Sequence, residues 1–401
     1  QVSSNLMIIL SIETSCDETA LALVEADLSH ESEQKFKIIG HELYSQTELH
    51  AKYGGVFPVM AKREHEKNLI PLLNKLLEEP NFSESGILNQ ESETKEKITK
   101  ILERESELQK QFLEYLPNLG KPPIDAIAVT VGPGLEPCLW TGINFARALA
   151  YIWDLPIVPT NHMEGHIFSV LATEHGEQKT ITYPALSLLV SGGHTELVYC
   201  KSQGSYEIIG RTKDDAVGEA FDKVARILGL PYPGGPQISA LADEARRSAN
   251  HESRIMNHEW KLPRPMLHSK DLNFSFSGLK TAVLYTVKKI PDLTLEIKKM
   301  LALEFEEAVV EVLTTKTKSA LTQYETKSLI VGGGVIANKS IRTSLSKLAK
   351  EFGIEFCVPT KSLSTDNAIM LGIAGLINFK AGKSQRADAE LRANGNLNLG
   401  A

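Results

Sequence analysis

One local pattern occurs twice in this chain, and it limits the possible folds more than any other feature. Near the N-terminus an apolar run at 6–10 leads through Ser11-Ile12-Glu13-Thr14-Ser15-Cys16-Asp17-Glu18-Thr19 into a second apolar run at 20–24. Midway, residues 186–199 read as strand, then Ser191-Gly192-Gly193-His194-Thr195, then strand again. Apolar runs broken by a small polar turn are hairpins. One hairpin early and a second halfway along 401 residues predict two copies of one α/β unit. Either turn alone is an ordinary polar loop or a phosphate cradle. As a pair, the two turns favour a nucleotide held between the copies. The N–H groups of Gly192 and Gly193 suit that task, because no Cβ keeps a phosphate away.

The rest of the chain supplies the helices and crossovers such a fold needs. Residues 124–131 (IDAIAVTV) form a buried-strand pattern running into Gly132-Pro133-Gly134 and a helix that carries Thr141, Gly142 and Arg147. Residues 328–331 end in Gly332-Gly333-Gly334 ahead of Asn338, implying close approach of a planar ligand or of another chain segment. Residues 41–77 read as helical around a loop at 53–58, 231–236 as a rigid loop that lets a ribose or base lie against backbone, and 301–321 as a long amphipathic helix. Residues 78–123 are rich in Glu, Lys, Ser and Gln and read as a polar insertion or flexible excursion, with a charged surface helix over 95–116. The expected division is a first domain over 7–160, completed by a C-terminal helix at 367–385, a second over 161–366, and a frayed tail from 380 onward, with 386–401 outside both domains.

A metal site is expected at Thr160-Asn161-His162-Met163-Glu164-Gly165-His166. Asn161 is a good cap for a helix starting at His162, and histidines at i and i+4 stack on one helix face. Two imidazoles so placed can hold a divalent ion and leave positions open for a third ligand and a substrate. The bland alternative is two unrelated surface histidines. The zinc-protease pattern needs Glu directly after the first His, where this chain has Met163; Glu164 is rotated by about 100° and poorly placed as a protease base. Asp366, in Leu363-Ser364-Thr365-Asp366-Asn367, sits where a closing helix begins and is the candidate third ligand, or else merely a helix cap.

The bulk properties narrow the function classes. A net charge of −7 argues against a globally basic nucleic-acid binder. Arg246-Arg247, Lys288-Lys289, Lys298-Lys299 and Lys261 with Arg264 remain as local phosphate-contacting patches or solvated helix faces. The four cysteines (Cys16, Cys138, Cys200, Cys357) are scattered without a CxxC and read as buried thiols in a reducing compartment. No apolar run approaches the ~20 residues that cross a bilayer. The chain opens on Gln1, and its first residues lack the character of a transit or signal peptide, so any such segment is expected to have been removed.

Seven ordered motifs resemble one family. SIETSCDETA (11–20), HMEGH (162–166), LLVSGGHTEL (188–197), the GEAFDKVARILGL and YPGGP stretches within 218–236, FSFSGLKTAV (274–283), GGGVIAN (332–338) and STDNA (364–368) are similar to the universal tRNA N6-adenosine threonylcarbamoyltransferases, which older descriptions name sialoglycoprotein endopeptidases. The resemblance implies the duplicated fold of actin, hexokinase and heat-shock chaperone ATPases, with a nucleotide and metal site in the interdomain cleft. It implies transfer of a threonylcarbamoyl group from threonylcarbamoyl-adenylate to N6 of the adenosine 3′ of the anticodon, in tRNAs reading codons that start with A, with release of AMP. Carried over by motif, His162, His166 and Asp366 bind one divalent metal (Zn, Fe or Mg), while Leu189, Val190, Ser191, Gly192, Gly193, Asp222, Gly235 and Asn338 hold the adenylate. Glu13 and Asp17 orient water or assist proton removal from N6. The partners implied are tRNA, an adenylate made by a separate synthase, and a second copy of the chain. The motif forms resemble the bacterial and mitochondrial branch, and the polar insert favours a mitochondrial matrix member. The tail departs from bacterial relatives in lacking a Trp- and Pro-containing ending. Two other functions stay in view: a zinc metalloendopeptidase, and a non-catalytic ATP-binding scaffold.

Overall fold

A computed structural model describes residues 6–29, 35–78, 92–172, 180–248 and 260–400. Alternation within the first strand already dictates a layered molecule. In β1 (Leu6–Glu13), Met7 and Ile9 point to one face while Leu10 and Ile12 point to the other, and all four are buried. A strand apolar on both faces must be covered on both. β1 pairs antiparallel with β2 (Glu18–Asp27), which pairs antiparallel with β3 (Phe36–Ser45). On its other edge β1 runs parallel to β4 (Ala126–Gly132), and β4 to β5 (Ile157–Asn161), giving the order β3-β2-β1-β4-β5.

The second half repeats this pattern strand for strand. β6 (Ala185–Val190) pairs antiparallel with β7 (Thr195–Ser202), and β7 with β8 (Ser205–Arg211). β6 is parallel to β9 (Ser328–Gly332), and β9 to β10 (Glu355–Cys357), so that β8-β7-β6-β9-β10 matches the first sheet in order and direction. The fold is a duplicated α/β architecture of the actin and hexokinase type.

The helices are α1 (Thr47–Ala51), α2 (Pro58–Leu77), α3 (Ser92–Ile101), α4 (Ser106–Tyr115), α5 (Glu136–Trp153), α6 (His162–Phe168), α7 (Val217–Ile227), α8 (Gly234–Ser248), α9 (Ser277–Lys288), α10 (Leu295–Gln323), α11 (Lys339–Phe352) and α12 (Ala368–Lys380). The middle layer positions the site. There α6 and α12 pack between the sheets, in one apolar core built from Met7, Ile9, Ala128, Met163, Leu189, Ile330, Ile369 and Ile373. Both helices begin near the carboxyl ends of the parallel strands, where open α/β sheets hold their ligands.

Several elements differ from expectation. Residues 41–45 belong to edge strand β3, not to a helix. The loop expected at 231–236 turns into α8 at Gly234. Residues 79–91 of the expected insertion lie outside the described residues. The remainder is not an excursion, because Ile98, Leu102, Leu108, Phe112, Leu116 and Leu119 are buried in the first half's outer core. Phe112 packs edge-on against Phe145 of α5 at 6.0 Å. Apolar residues one per turn, set among many charges, are enough to anchor two short helices. The tail is likewise built in. Gln385 bridges to Ile157, Asn394 N donates to Val131 O at 2.8 Å, and Leu391 and Leu399 are buried.

Candidate functional site

Asn161 caps α6 as its sequence predicts, accepting from the N–H of Met163 at 2.8 Å and of Glu164 at 3.3 Å. That fixes the first turn, so His162 and His166 face the same way with ring centroids 4.7 Å apart. The cap of α12 is Asn367, which accepts from Met370 N at 3.0 Å and donates to the carbonyls of Leu363 and Thr365. Asp366 is therefore no cap. Its Oδ1 lies 3.4 Å from His162 Nε2 and 3.2 Å from His166 Nε2, and the three ligand atoms fall within 4.8 Å of one another.

These three residues fit a metal. The 3.2–3.4 Å separations are what two bonds of about 2.0–2.1 Å to a shared ion would leave. His166 is fully buried, yet neither ring nitrogen makes a hydrogen bond within the protein. A buried, unsatisfied imidazole is costly unless something else takes its lone pair. The surrounding charge is negative, with Glu13, Asp17 and Glu18 gathered beside Asp366. Burial alone would raise the Asp366 carboxyl, but His162 and His166 hold it well below the usual carboxylate range. Burial depresses His162, but the charges of Asp366 and Glu13 outweigh it and raise it well above the usual histidine range.

Glu13 is placed differently from the expected proton acceptor. It is fully buried, its Oε1 accepts from Ser15 N at 2.6 Å, and its Oε2 accepts from Thr130 Oγ1 at 2.7 Å. The same Oε2 lies 3.1 Å from His162 Nδ1. With both oxygens engaged it serves to orient His162, turning Nε2 toward Asp366. Asp17 sits in the same turn, is 9% exposed, and its charge reaches Asp222 and Tyr232 of the second half. Two further residues of this region escaped the sequence. Burial and then Asp17 raise the Glu18 carboxyl well above the usual range. His65 of α2 fastens the turn, with Nε2 3.0 Å from Cys16 O and Nδ1 2.8 Å from Thr19 Oγ1.

The expected adenylate residues line up along the second half of the cleft. Leu189 and Val190 end β6 with buried side chains, so only their backbone can meet a ligand. The turn Ser191–His194 closes on itself, His194 N donating to Ser191 Oγ at 3.1 Å, and methyl groups added at Gly192 or Gly193 would meet nothing. Gly332 and Gly333 instead answer a close approach of chain segments. A Cβ on Gly332 would lie 2.7 Å from His166 O, and one on Gly333, whose φ is +93°, would lie 2.3 Å from Val190 O. Asp222 Oδ1 accepts from Gly234 N at 2.7 Å, holding the loop before Gly235. A cavity of ≈ 130 Å³ opens there, between Gly54 of the first half and Asp222 and Tyr232 of the second. Asn338 requires a correction. Its amide donates to Ser239 Oγ and Glu306 Oε1, its Oδ1 caps α11 at Ile341 N, and its backbone bonds to Val335 O and Arg342 N, so it seats the start of α11.

Glu164 faces away from the histidine cluster. Its carboxylate accepts from Tyr206 OH at 2.9 Å and Asn378 Nδ2 at 2.7 Å, tying α6 to β8 and α12. An acid so engaged is no general base, and the endopeptidase reading loses its catalyst. Several of the basic pairs are also spent. Arg246 pairs with Asp243 and Glu306, Arg264 with Glu304 and Glu311, and Lys299 with Glu244 and Glu296. Of the four cysteines, Cys138, Cys200 and Cys357 are buried and Cys16 is half-buried, all as free thiols. No helix among the described residues is long and apolar enough to cross a membrane.

Known proteins match this chain over nearly its whole length. The family model described as TsaD, tRNA N6-adenosine threonylcarbamoyltransferase, matches residues 37–87 and 106–373. A tRNA N6-adenosine threonylcarbamoyltransferase of Nitrosospira multiformis is 40% identical over 379 residues, covering 94% of this chain and 93% of the relative. One of Bacillus thuringiensis is 40% identical over 394 residues, covering 98% and 96%. Among solved structures, component A of the Acidaminococcus fermentans (R)-2-hydroxyglutaryl-CoA dehydratase aligns with a TM-score of 0.44 at 11% identity, over 94% of this chain and 99% of that one. Full-length HypF, in its phosphate- and nucleotide-bound form, aligns with a TM-score of 0.48 at 13% identity, over 94% and 56%. With the seven motifs in order, the duplicated sheets and two relatives at 40% identity, the chain belongs to the tRNA N6-adenosine threonylcarbamoyltransferase family.

Proposed function

We propose that this protein transfers the threonylcarbamoyl group of threonylcarbamoyl-adenylate to N6 of the adenosine 3′ of the anticodon, in tRNAs that read codons starting with A. Family membership supplies the reaction class. The observation that carries the site is the buried convergence of His162, His166 and Asp366 beside the open Ser191–His194 turn. The N6 lone pair attacks the activated carbonyl carbon, the bond from that carbon to the phosphate oxygen breaks, AMP leaves with the electron pair, and N6 loses a proton.

The acyl phosphate is already activated, so orientation and charge stabilisation are most of what the protein must add. Amides of Gly192 and Gly193 donate to the phosphate, and Asp222 with the backbone at Gly235 fixes the ribose. With Glu13 committed to His162, Asp17 is the carboxylate left facing the cleft to take the N6 proton. A divalent ion held by His162, His166 and Asp366 would neutralise the phosphate and polarise the carbamoyl oxygen. The motif forms, which resemble the mitochondrial branch, and the polar insert are the grounds for inferring a mitochondrial matrix setting, a homodimer and an adenylate delivered by a separate synthase. The test is to incubate purified protein with synthetic adenylate and unmodified tRNA, then digest the tRNA and look for the modified nucleoside. Its appearance supports the proposal, whereas glycoprotein cleavage without nucleoside would restore the endopeptidase reading.

A further inference from the structure

A second cavity, of ≈ 190 Å³, opens beside the metal cluster. Met163 and His194 line it, with Glu196 and Arg211 from β7 and β8, and Asn396 and Asn398 from the C-terminal segment. The cavity adjoins the reacting centre: Met163 directly follows His162, and His194 feels the charge of both His162 and His166. We propose that this cavity receives the acceptor adenine of the tRNA, with the carboxamides of Asn396 and Asn398 reading its edge. The assignment rests on the transferase reading above.

The chemistry of the lining favours a purine with an exocyclic amine. The half-buried imidazole of His194 gives a base a surface to lie against, and a carboxamide both accepts from an adenine N6–H and donates to a ring nitrogen beside it. Accepting one N6 hydrogen leaves the nitrogen lone pair available for attack. Arg211, exposed at the rim, is placed for a backbone phosphate.

Backbone contacts, not the two carboxamides, hold the wall in place. Asn394 N donates to Val131 O, Gly134 N donates to Gly395 O at 3.2 Å, and Asn161 Nδ2 donates to Asn398 O at 3.2 Å. Substituting the side chains at 396 and 398 should therefore leave the segment seated.

The experiment compares wild type with the double variant Asn396→Ala/Asn398→Ala, using full-length protein, varied tRNA and saturating adenylate. The variant should lose roughly tenfold or more in kcat/KM for tRNA. Its affinity for AMP, measured by direct titration, should stay unchanged. The double variant Asn396→Asp/Asn398→Asp keeps the volume, removes the amide donors, and should show the same split should the alanine pair melt early. An active wild type whose variants use tRNA equally well would overturn the cavity assignment alone. A wild type that modifies no tRNA would overturn the transferase reading and the assignment with it.

Discussion

His162 Nδ1 lies 3.1 Å from Glu13 Oε2, joining a helix of the middle layer to the last residue of β1 across 149 positions of sequence. The contact fixes which ring nitrogen is free. With Nδ1 held against the Glu13 carboxylate, Nε2 is the nitrogen turned toward Asp366 and left for a shared ion. Thr130 and Ser15 N hold the carboxylate in turn, so the geometry of the metal cluster is set two bonds back from the ion.

Glu13→Gln should keep the shape of this arrangement and weaken its purpose. Divalent-metal affinity, measured by competition with a chromophoric chelator, is predicted to fall roughly 10–100-fold with the fold intact. Unchanged affinity would show that His162 needs no orienting partner.

The two kinds of glycine should separate in a stability assay. Gly333→Ala forces a side chain into a left-handed conformation against Val190 O, and chemical denaturation should show a loss of about 1–3 kcal/mol. Gly192→Ala meets no neighbour, so stability should hold while AMP binding weakens. The reverse pattern would mean that the Ser191–His194 turn is not where the phosphate lies.

His65 predicts a pH dependence. Burial depresses its pKa from 6.5 to about 4, so the folded protein binds fewer protons there than the unfolded chain. Stability from this residue is complete above pH 6.5 and is lost as pH falls toward 4, by about 3 kcal/mol over the full window. Urea unfolding from pH 7 to 4 should show wild type losing that much more than His65→Gln. Parallel curves would mean the ring is not held neutral.

Glu164→Ala should lower stability by about 2 kcal/mol or more, because Tyr206 OH and Asn378 Nδ2 both lose a buried anionic acceptor. The transfer rate constant of the surviving folded protein should not change. A selective loss of rate would put Glu164 back into the chemistry.

What the sequence made legible was local, and what it hid was long-range. The cap at Asn161 and the i, i+4 histidines are written in seven consecutive residues, and two similar hairpins announced the duplication. Strand β3 was hidden because an edge strand with no fully buried residue carries no clean alternation. Helix α8 was hidden because Gly-Gly-Pro reads as a loop even where a helix begins. The C-terminal segment is pinned by backbone hydrogen bonds and two isolated leucines, which leave no periodic trace. The role of Glu13 depends on partners 117 and 149 residues away, and that of Asn338 on Glu306 and Ser239. No local motif can show that an amide or carboxylate is already taken.

The most direct measurement is a single-turnover transfer, with wild type and His166→Ala side by side, each given threonylcarbamoyl-adenylate and unmodified tRNA with no other protein present. Wild type should deposit modified nucleoside in the tRNA and release AMP in step, while the variant, folded and still binding tRNA, should deposit almost none. Equal rates from the two proteins would contradict the placement of the reaction at the His162, His166 and Asp366 cluster.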